Sequence, residues 1–244
     1  MLAVRDIKLR YKQTVLGVFW VVLQPLLAGL IFALIFGHFI RLSSEGYPYL
    51  LFVFPALMGW QLFAGILQRA GGSLVNEARL ITKVYFPHIL VPMASAVAVL
   101  VDLAVSAVIM LVLLAVYGVW PGWSLLWLPV ALFLALALAM GVSIWLAALN
   151  VRYRDFMHAT PFLIQVWMYA SPVVYSSAVV PLPWRPWFAL NPMVGVIEAF
   201  RWAWLGHRPA DVSVLALSAA WAAVLMLGGW VYFRRVELDL VDRL

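Results

Sequence analysis

The chain has 244 residues, of which 66% are apolar and only 11% charged. A water-soluble domain carries roughly 25% charged residues to cover its surface, so this composition excludes a soluble globular protein and calls for lipid around much of the exterior. The absence of cysteine excludes disulfides, iron–sulfur clusters and thiolate metal sites. The net charge of +6 lies in short groups between apolar runs, not on the concentrated basic face that a nucleic acid needs.

Residues 1–15 predict a short helix lying in the membrane interface. Residues 1–13 carry Arg5, Lys8, Arg10 and Lys12; Arg5, Lys8 and Lys12 share one face, and Ile7 and Tyr11 stack one turn apart on another. The apolar run over 16–36 has span length, longer than a signal-peptide core. Further spans are predicted over 49–67, 89–116, 125–149, 160–175 and 212–233. The expected fold is all-α and polytopic, with six transmembrane helices in one domain, 1–244. Counting Lys and Arg orients it: with the N-terminus inside, twelve of the sixteen fall on the cytoplasmic side and four (Arg41, Arg185, Arg201, Arg208) outside, so both termini are expected in the cytoplasm.

Two segments between spans carry mechanism. Residues 73–87 are too polar to cross lipid, yet Leu74, Ala78 and Ile81 recur at helical spacing and Pro87 stops the pattern. Such a helix suits docking into a cytoplasmic partner; a surface linker anchored at the interface suits the pattern equally. Residues 180–206 contain two short elements on the outside. The first is broken by Pro181, Pro183 and Pro186. The second is punctuated by Asn191 as N-cap, Pro192 at its first position and Gly206 past its end. Both are too short to cross and predict a re-entrant pair, read functionally as a gate, with Glu198 and Arg201 placed to pair at i, i+3. Trp184, Trp187, Trp202 and Trp204 suit a gate, but belt anchoring at the membrane interface explains them at least as well.

Within the spans, Phe162, Gln165 and Tyr169 share a face suited to stacking and hydrogen bonding with sugar rings, as well as to plain helix packing. Asp102 is the one carboxylate deep in an apolar run, a functional candidate by position or a partner for Ser106 one turn on. His38, His88, His158 and His207 lack metal-ligand spacing, no Ser–His–Asp set can be argued, and there is no phosphate-binding loop, so the chain is not expected to hydrolyse ATP itself.

The opening from Arg5-Asp6-Ile7 through Gly17-Val18-Phe19-Trp20 to Gln24-Pro25 resembles that of type-2 ABC-transporter permeases that export polysaccharides, including the O-antigen, capsule and teichoic-acid exporters. The resemblance continues at Lys83-Val84-Tyr85-Phe86-Pro87, Asn150-Val151-Arg152-Tyr153-Arg154-Asp155, Ser171-Pro172-Val173-Val174-Tyr175 and Asn191-Pro192-Met193, in order over nearly the whole chain. Family members commonly carry a longer N-terminus.

The resemblance implies a homodimer with two cytoplasmic ATPase subunits, which bind the ATP and Mg; this chain would hold no cofactor. The substrate it implies is a polysaccharide linked to undecaprenyl diphosphate, moved across the bacterial inner membrane. It implies ATPase coupling by Leu74, Glu77, Arg79, Leu80, Lys83, Tyr85 and Phe86, and substrate entrance by Arg5, Lys8, Arg10, Tyr11 and Lys12, whose cations suit a diphosphate. Trp184, Trp187, Asn191, Pro192, Glu198 and Arg201 would form the gate, and Trp20, Phe162, Gln165 and Tyr169 would line the channel. Two alternatives stay open: a permease of the same fold exporting drugs or small lipids, and an ATPase-independent carrier or scaffold, for which Asp102 is the best support.

Overall fold

The computed structural model describes residues 17–78, 86–153, 155–206 and 209–237, and among them every regular element is helical. Helix α1, Gly17–Phe32, runs straight into a π-helical segment, Ala33–Phe39. Then follow α2 (Tyr49–Asn76), α3 (Leu90–Tyr117), α4 (Leu128–Arg152), α5 (Asp155–Tyr169), α6 (Arg185–Ala189), α7 (Pro192–Leu205) and α8 (Val212–Glu237). The expected interfacial helix over 1–15, with Arg5, Lys8, Arg10, Tyr11 and Lys12, lies outside the described residues.

Five helices are long and apolar enough to cross a membrane: Val22–Phe39, Tyr49–Asn76, Leu90–Tyr117, Trp123–Arg152 and Val212–Glu237. The expected fifth span over 160–175 takes another form. α5 starts at Asp155 and stops at Tyr169, and its 15 residues rise about 22 Å, short of the roughly 30 Å hydrocarbon core. Pro172 explains the stop, since it brings no N–H and its ring would collide with the carbonyl of Met168.

α2 is the axis of the bundle. Of its most apolar window 89% is buried inside the protein, against 11% for α1 and 17% for α8. It packs along α3, α4 and α7, and more lightly on α1 and α5. Phe54, Phe63 and Phe200 fill the main core, while Leu74, Val91, Ile144 and Phe233 form a second cluster at the far end.

α2 also runs past residue 67, where its span was expected to end, to Asn76. The small residues Ala70, Gly71, Gly72 and Ser73 are buried. Asn150 on α4 donates to the Gly71 carbonyl at 2.7 Å, and the Ser73 hydroxyl donates back to Ala70 at 2.8 Å. Protein therefore encloses residues 70–74 at this end of the helix, while Gln68, Arg69 and Asn76 stay exposed. Residues 73–76, expected to open a separate coupling helix, are the last turn of α2.

Where α4 crosses α8, glycine allows the backbones to approach. A Cβ on Gly141 would stand 2.9 Å from the Met226 nitrogen, and one on Gly229 would stand 3.1 Å from the Gly141 carbonyl oxygen. Trp145 fastens the crossing by donating to the Leu225 carbonyl at 3.1 Å and stacking on Tyr232. Close approach of small residues is how helices gain packing where lipid offers no hydrophobic drive. Gly141→Ala is expected to force α8 away and to cost about 1–3 kcal/mol, read as a lowered melting temperature in detergent. Gly122→Ala, where a Cβ meets nothing within 4 Å, is the matched control and leaves the melt unchanged.

Candidate functional site

The chain between α5 and α7 has to satisfy backbone groups that no helix serves. After Tyr169 the helix ends, Ser171, Pro172 and Val173 are buried, and the carbonyls of Ala170, Val173, Val174 and Tyr175 take no helical partner. An unpaired carbonyl there loses water and gains nothing. Side chains supply the donors.

Asn191, at the N-cap of α7, uses its whole amide. Its oxygen accepts from Met193 N–H at 3.0 Å and from Trp167 Nε1–H at 2.8 Å, while its nitrogen donates to the Ala170 carbonyl at 3.0 Å and to the Ser171 hydroxyl at 2.9 Å. One residue thus caps α7 and ties it to the broken end of α5. Pro192 follows at a position that needs no N–H donor.

Arg201, buried on α7, continues the work. Its guanidinium donates to Val173 O at 2.8 Å, to Tyr175 O at 3.2 Å and to Phe52 O on α2 at 3.3 Å, and lies 3.9 Å above the Phe52 ring. Tyr49, at the start of α2, donates its hydroxyl to the carbonyl between them, Val174 O. A planar fork with five donors can reach three carbonyls on different segments and still lie flat on a ring.

A polar layer surrounds this knot. Ser176 donates to the Glu45 carboxylate and Ser177 to that of Glu198, and both carboxylates lie near enough to favour the Arg201 charge. Glu198 and Arg201 therefore share one cluster, as their spacing predicts, but the Arg201 hydrogen bonds resolved here go to backbone carbonyls. A pocket of about 240 Å³ opens beside them, lined by Glu45, Ser177, Arg185, Glu198, Arg201 and Asp211. Arg185 holds the loop before it by donating to Ala178 O and Val180 O. Asp211 caps α8 through Ser213, whose hydroxyl and N–H hold the Asp211 carboxyl below its ordinary range. Trp184 and Trp187 point outward, 65% and 70% exposed, and do not line the pocket.

At the other end of the bundle, Leu74 is fully buried with Val91, Ile144 and Phe233. Of the expected coupling residues, Leu74 thus belongs to the inner packing of the bundle. Glu77 caps the end of α2, half-buried, and Arg79, Leu80, Lys83 and Tyr85 lie outside the described residues. Phe86 packs partly against the same cluster and edge-on to His88. His88 in turn bonds Glu237, through its N–H at 3.3 Å and its Nδ1 at 3.1 Å. The segment that begins α3 is thereby rooted on the last turn of α8.

On α5, Phe162 and Tyr169 are each 66% exposed and Gln165 is exposed with them, while Ile164 faces the core. Trp20 on α1 is exposed as well. Asp102 does not pair through its carboxylate with Ser106, whose hydroxyl donates to the Asp102 backbone carbonyl at 3.0 Å. The carboxylate lies 4.0 Å from the guanidinium of Arg69 on α2.

The sequence pattern names Asn191, Pro192 and Arg201 but misses Tyr49, Trp167, Ser176 and Glu45. No short-range spacing marks those four, which reach the knot from distant parts of the chain. Asn191→Asp keeps the two accepted bonds and removes the two donated ones, so it is expected to cost about 1–3 kcal/mol. Thermal unfolding in detergent measures this, and an unchanged midpoint would contradict the knot.

Known proteins place this architecture. The family model described as ABC-2 type transporter matches residues 1–205. The O-antigen export system permease protein RfbA of Myxococcus xanthus is 31% identical over 224 residues, covering 91% of this chain and 85% of that protein. A protein of the same name from Klebsiella pneumoniae is 29% identical over 198 residues, covering 81% and 76%. The polysialic acid transport protein KpsM of Escherichia coli is 24% identical over 245 aligned positions, covering 99% and 94%. With a family match across most of its length and a polytopic helical bundle to carry it, the chain is a membrane-spanning transport component that belongs to the ABC-2 type transporter family.

Proposed function

We propose that this chain is the permease subunit of an ATP-driven exporter that moves a polysaccharide of the O-antigen kind, carried on undecaprenyl diphosphate, across the bacterial inner membrane. The observation that carries the reading is similarity over nearly the full length to a permease named for O-antigen export, 31% identical across 91% of this chain. In this reading two copies pair, and two cytoplasmic ATPase subunits bind the ATP and Mg.

α5 together with residues 170–175 serves as the sixth membrane passage. α6 and α7 form the re-entrant pair on the outer side, and both termini lie in the cytoplasm, in keeping with the excess of Lys and Arg there. Phe162, Gln165 and Tyr169 then face the path between the two copies, supported by their exposure on a helix that buries only Thr160 and Ile164. Arg5, Lys8, Arg10, Tyr11 and Lys12 meet the diphosphate at the inner interface, where cations offer charge-assisted bonds to phosphate oxygens.

Asn191 and Arg201 bind the end of α5 to α7 and α2, so a displacement of α5 carries the re-entrant pair with it. On the inner side, an ATPase pushing on Glu77, Arg79, Leu80, Lys83, Tyr85 and Phe86 would load α2 at one end of the segment and α3 with α8 at the other, because His88 is bonded to Glu237.

The test uses cells that lack their own exporter and express this chain with its ATPase. Wild type is expected to restore surface polysaccharide. Lys83→Glu is expected to lower export by roughly tenfold or more while the ATPase still co-purifies and hydrolyses ATP. Full export from Lys83→Glu with the ATPase bound would remove the coupling assignment, and drug efflux without surface glycan in the wild type would remove the substrate.

A further inference from the structure

A second cavity lies in the body of the bundle, about 380 Å³, between α1, α2 and α3. Its walls mix apolar side chains with polar ones: Gln24 from α1, Gln61, Gln68 and Arg69 from α2, and Asp102 and Ser106 from α3. Gln61 and Asp102 each stand twelve residues from the first and fifteen from the last residue of their helices, about 18 Å and about 22 Å from the two ends and so near the middle of each.

The chemistry of the groove limits what fills it. The side-chain amides of Gln24, Gln61 and Gln68 make no hydrogen bond among the described residues. An acyl chain against three such amides would leave donors and acceptors unserved in hydrocarbon, which the membrane interior penalises heavily. Water or a polar ligand serves them. Arg69 and Asp102 face the same space 4.0 Å apart, with side chains 39% and 27% exposed. The carboxylate offsets the guanidinium, so the pair presents a donor and an acceptor side by side without net charge. That is a poor trap for a phosphate and a good match for vicinal hydroxyls, to which amides also donate and accept.

We propose that this groove is a binding subsite for an uncharged, hydroxyl-rich segment of the transported glycan, held by Gln24, Gln61, Gln68 and the Arg69–Asp102 pair. It is built from a single copy of the chain, uses none of the residues on the exposed face of α5, and rests on the polysaccharide-export reading above.

Two measurements test it. The native chain contains no cysteine, so Gln61→Cys and Gln68→Cys each place a sole thiol in the full-length chain. In proteoliposomes holding the complex with its ATPase, a sulfonated, water-soluble methanethiosulfonate is expected to modify these thiols roughly tenfold faster, or more, than one introduced by Leu111→Cys on the outward side of α3. In cells, Gln61→Leu and Gln68→Leu at wild-type protein level are expected to lower surface glycan about tenfold, and Gln61→Asn, which keeps the amide, to restore most of it. Equal slow labelling at all three positions overturns the proposal, since the groove is then closed by lipid or by a second copy. Fast labelling with undiminished export from both leucine variants also overturns it, leaving a water-filled crevice that no glycan touches. If wild type exports no glycan, the parent reading fails and the glycan falls with it as occupant, while the labelling rates decide separately whether the groove is wet.

Discussion

A membrane interior tolerates a broken helix only where other groups take over the hydrogen bonds that the helix gives up. That constraint organises this structure. The carbonyls of Ala170, Val173, Val174 and Tyr175 are met in turn by Asn191, Arg201, Tyr49 and Arg201 again. The donors come from α2 and α7, so the break in α5 is also the point at which three helices are joined. Hydrogen bonds from a charged donor contribute about 1.5–3 kcal/mol each, and a buried guanidinium left without acceptors would be costly. The arrangement is therefore held from both directions: the carbonyls need the arginine, and the arginine needs the carbonyls.

The same logic separates the two ends of the molecule. Around the break, polar groups are numerous and paired, with Glu45 and Glu198 near the arginine and serines on each carboxylate. At the opposite end, packing dominates. Leu74, Ile144 and Phe233 close the core, and among the described residues the contact of His88 with Glu237 ties the start of α3 to α8. Membership of the ABC-2 type transporter family gives this contrast a functional sense: a transport subunit needs one region that holds its shape while neighbouring helices shift, and the paired polar cluster has that character.

Much of the fold was legible in the sequence because hydropathy over a span-length window measures what lipid measures. The long apolar runs that became α1, α3, α4 and α8 were found in order, and the cap of α7 was read from Asn191, Pro192 and Gly206 because capping is local chemistry. A window average cannot tell lipid from protein as the solvent, so hydropathy ends the second span at residue 67, where the structure carries α2 on to Asn76 with Gly71, Ser73 and Leu74 enclosed by protein. The same average predicts a regular helix over 160–175, although α5 stops at Tyr169, Pro172 breaks the pattern and distant side chains serve the break. The role of Arg201 is not legible in the sequence, because its partners Phe52, Val173 and Tyr175 lie 26 to 149 positions away along the chain, beyond any motif.

The shortness of α5 has a consequence for how that segment can move. A rod of 15 residues falls about 8 Å short of an average hydrocarbon thickness, and the chain beyond Tyr169 is held by donors from α2 and α7. A straight helix of full length could slide along its own axis with its hydrogen bonds intact. This one is tethered at its broken end, so axial sliding would strip carbonyls of their donors, and pivoting about that tether is the cheaper motion.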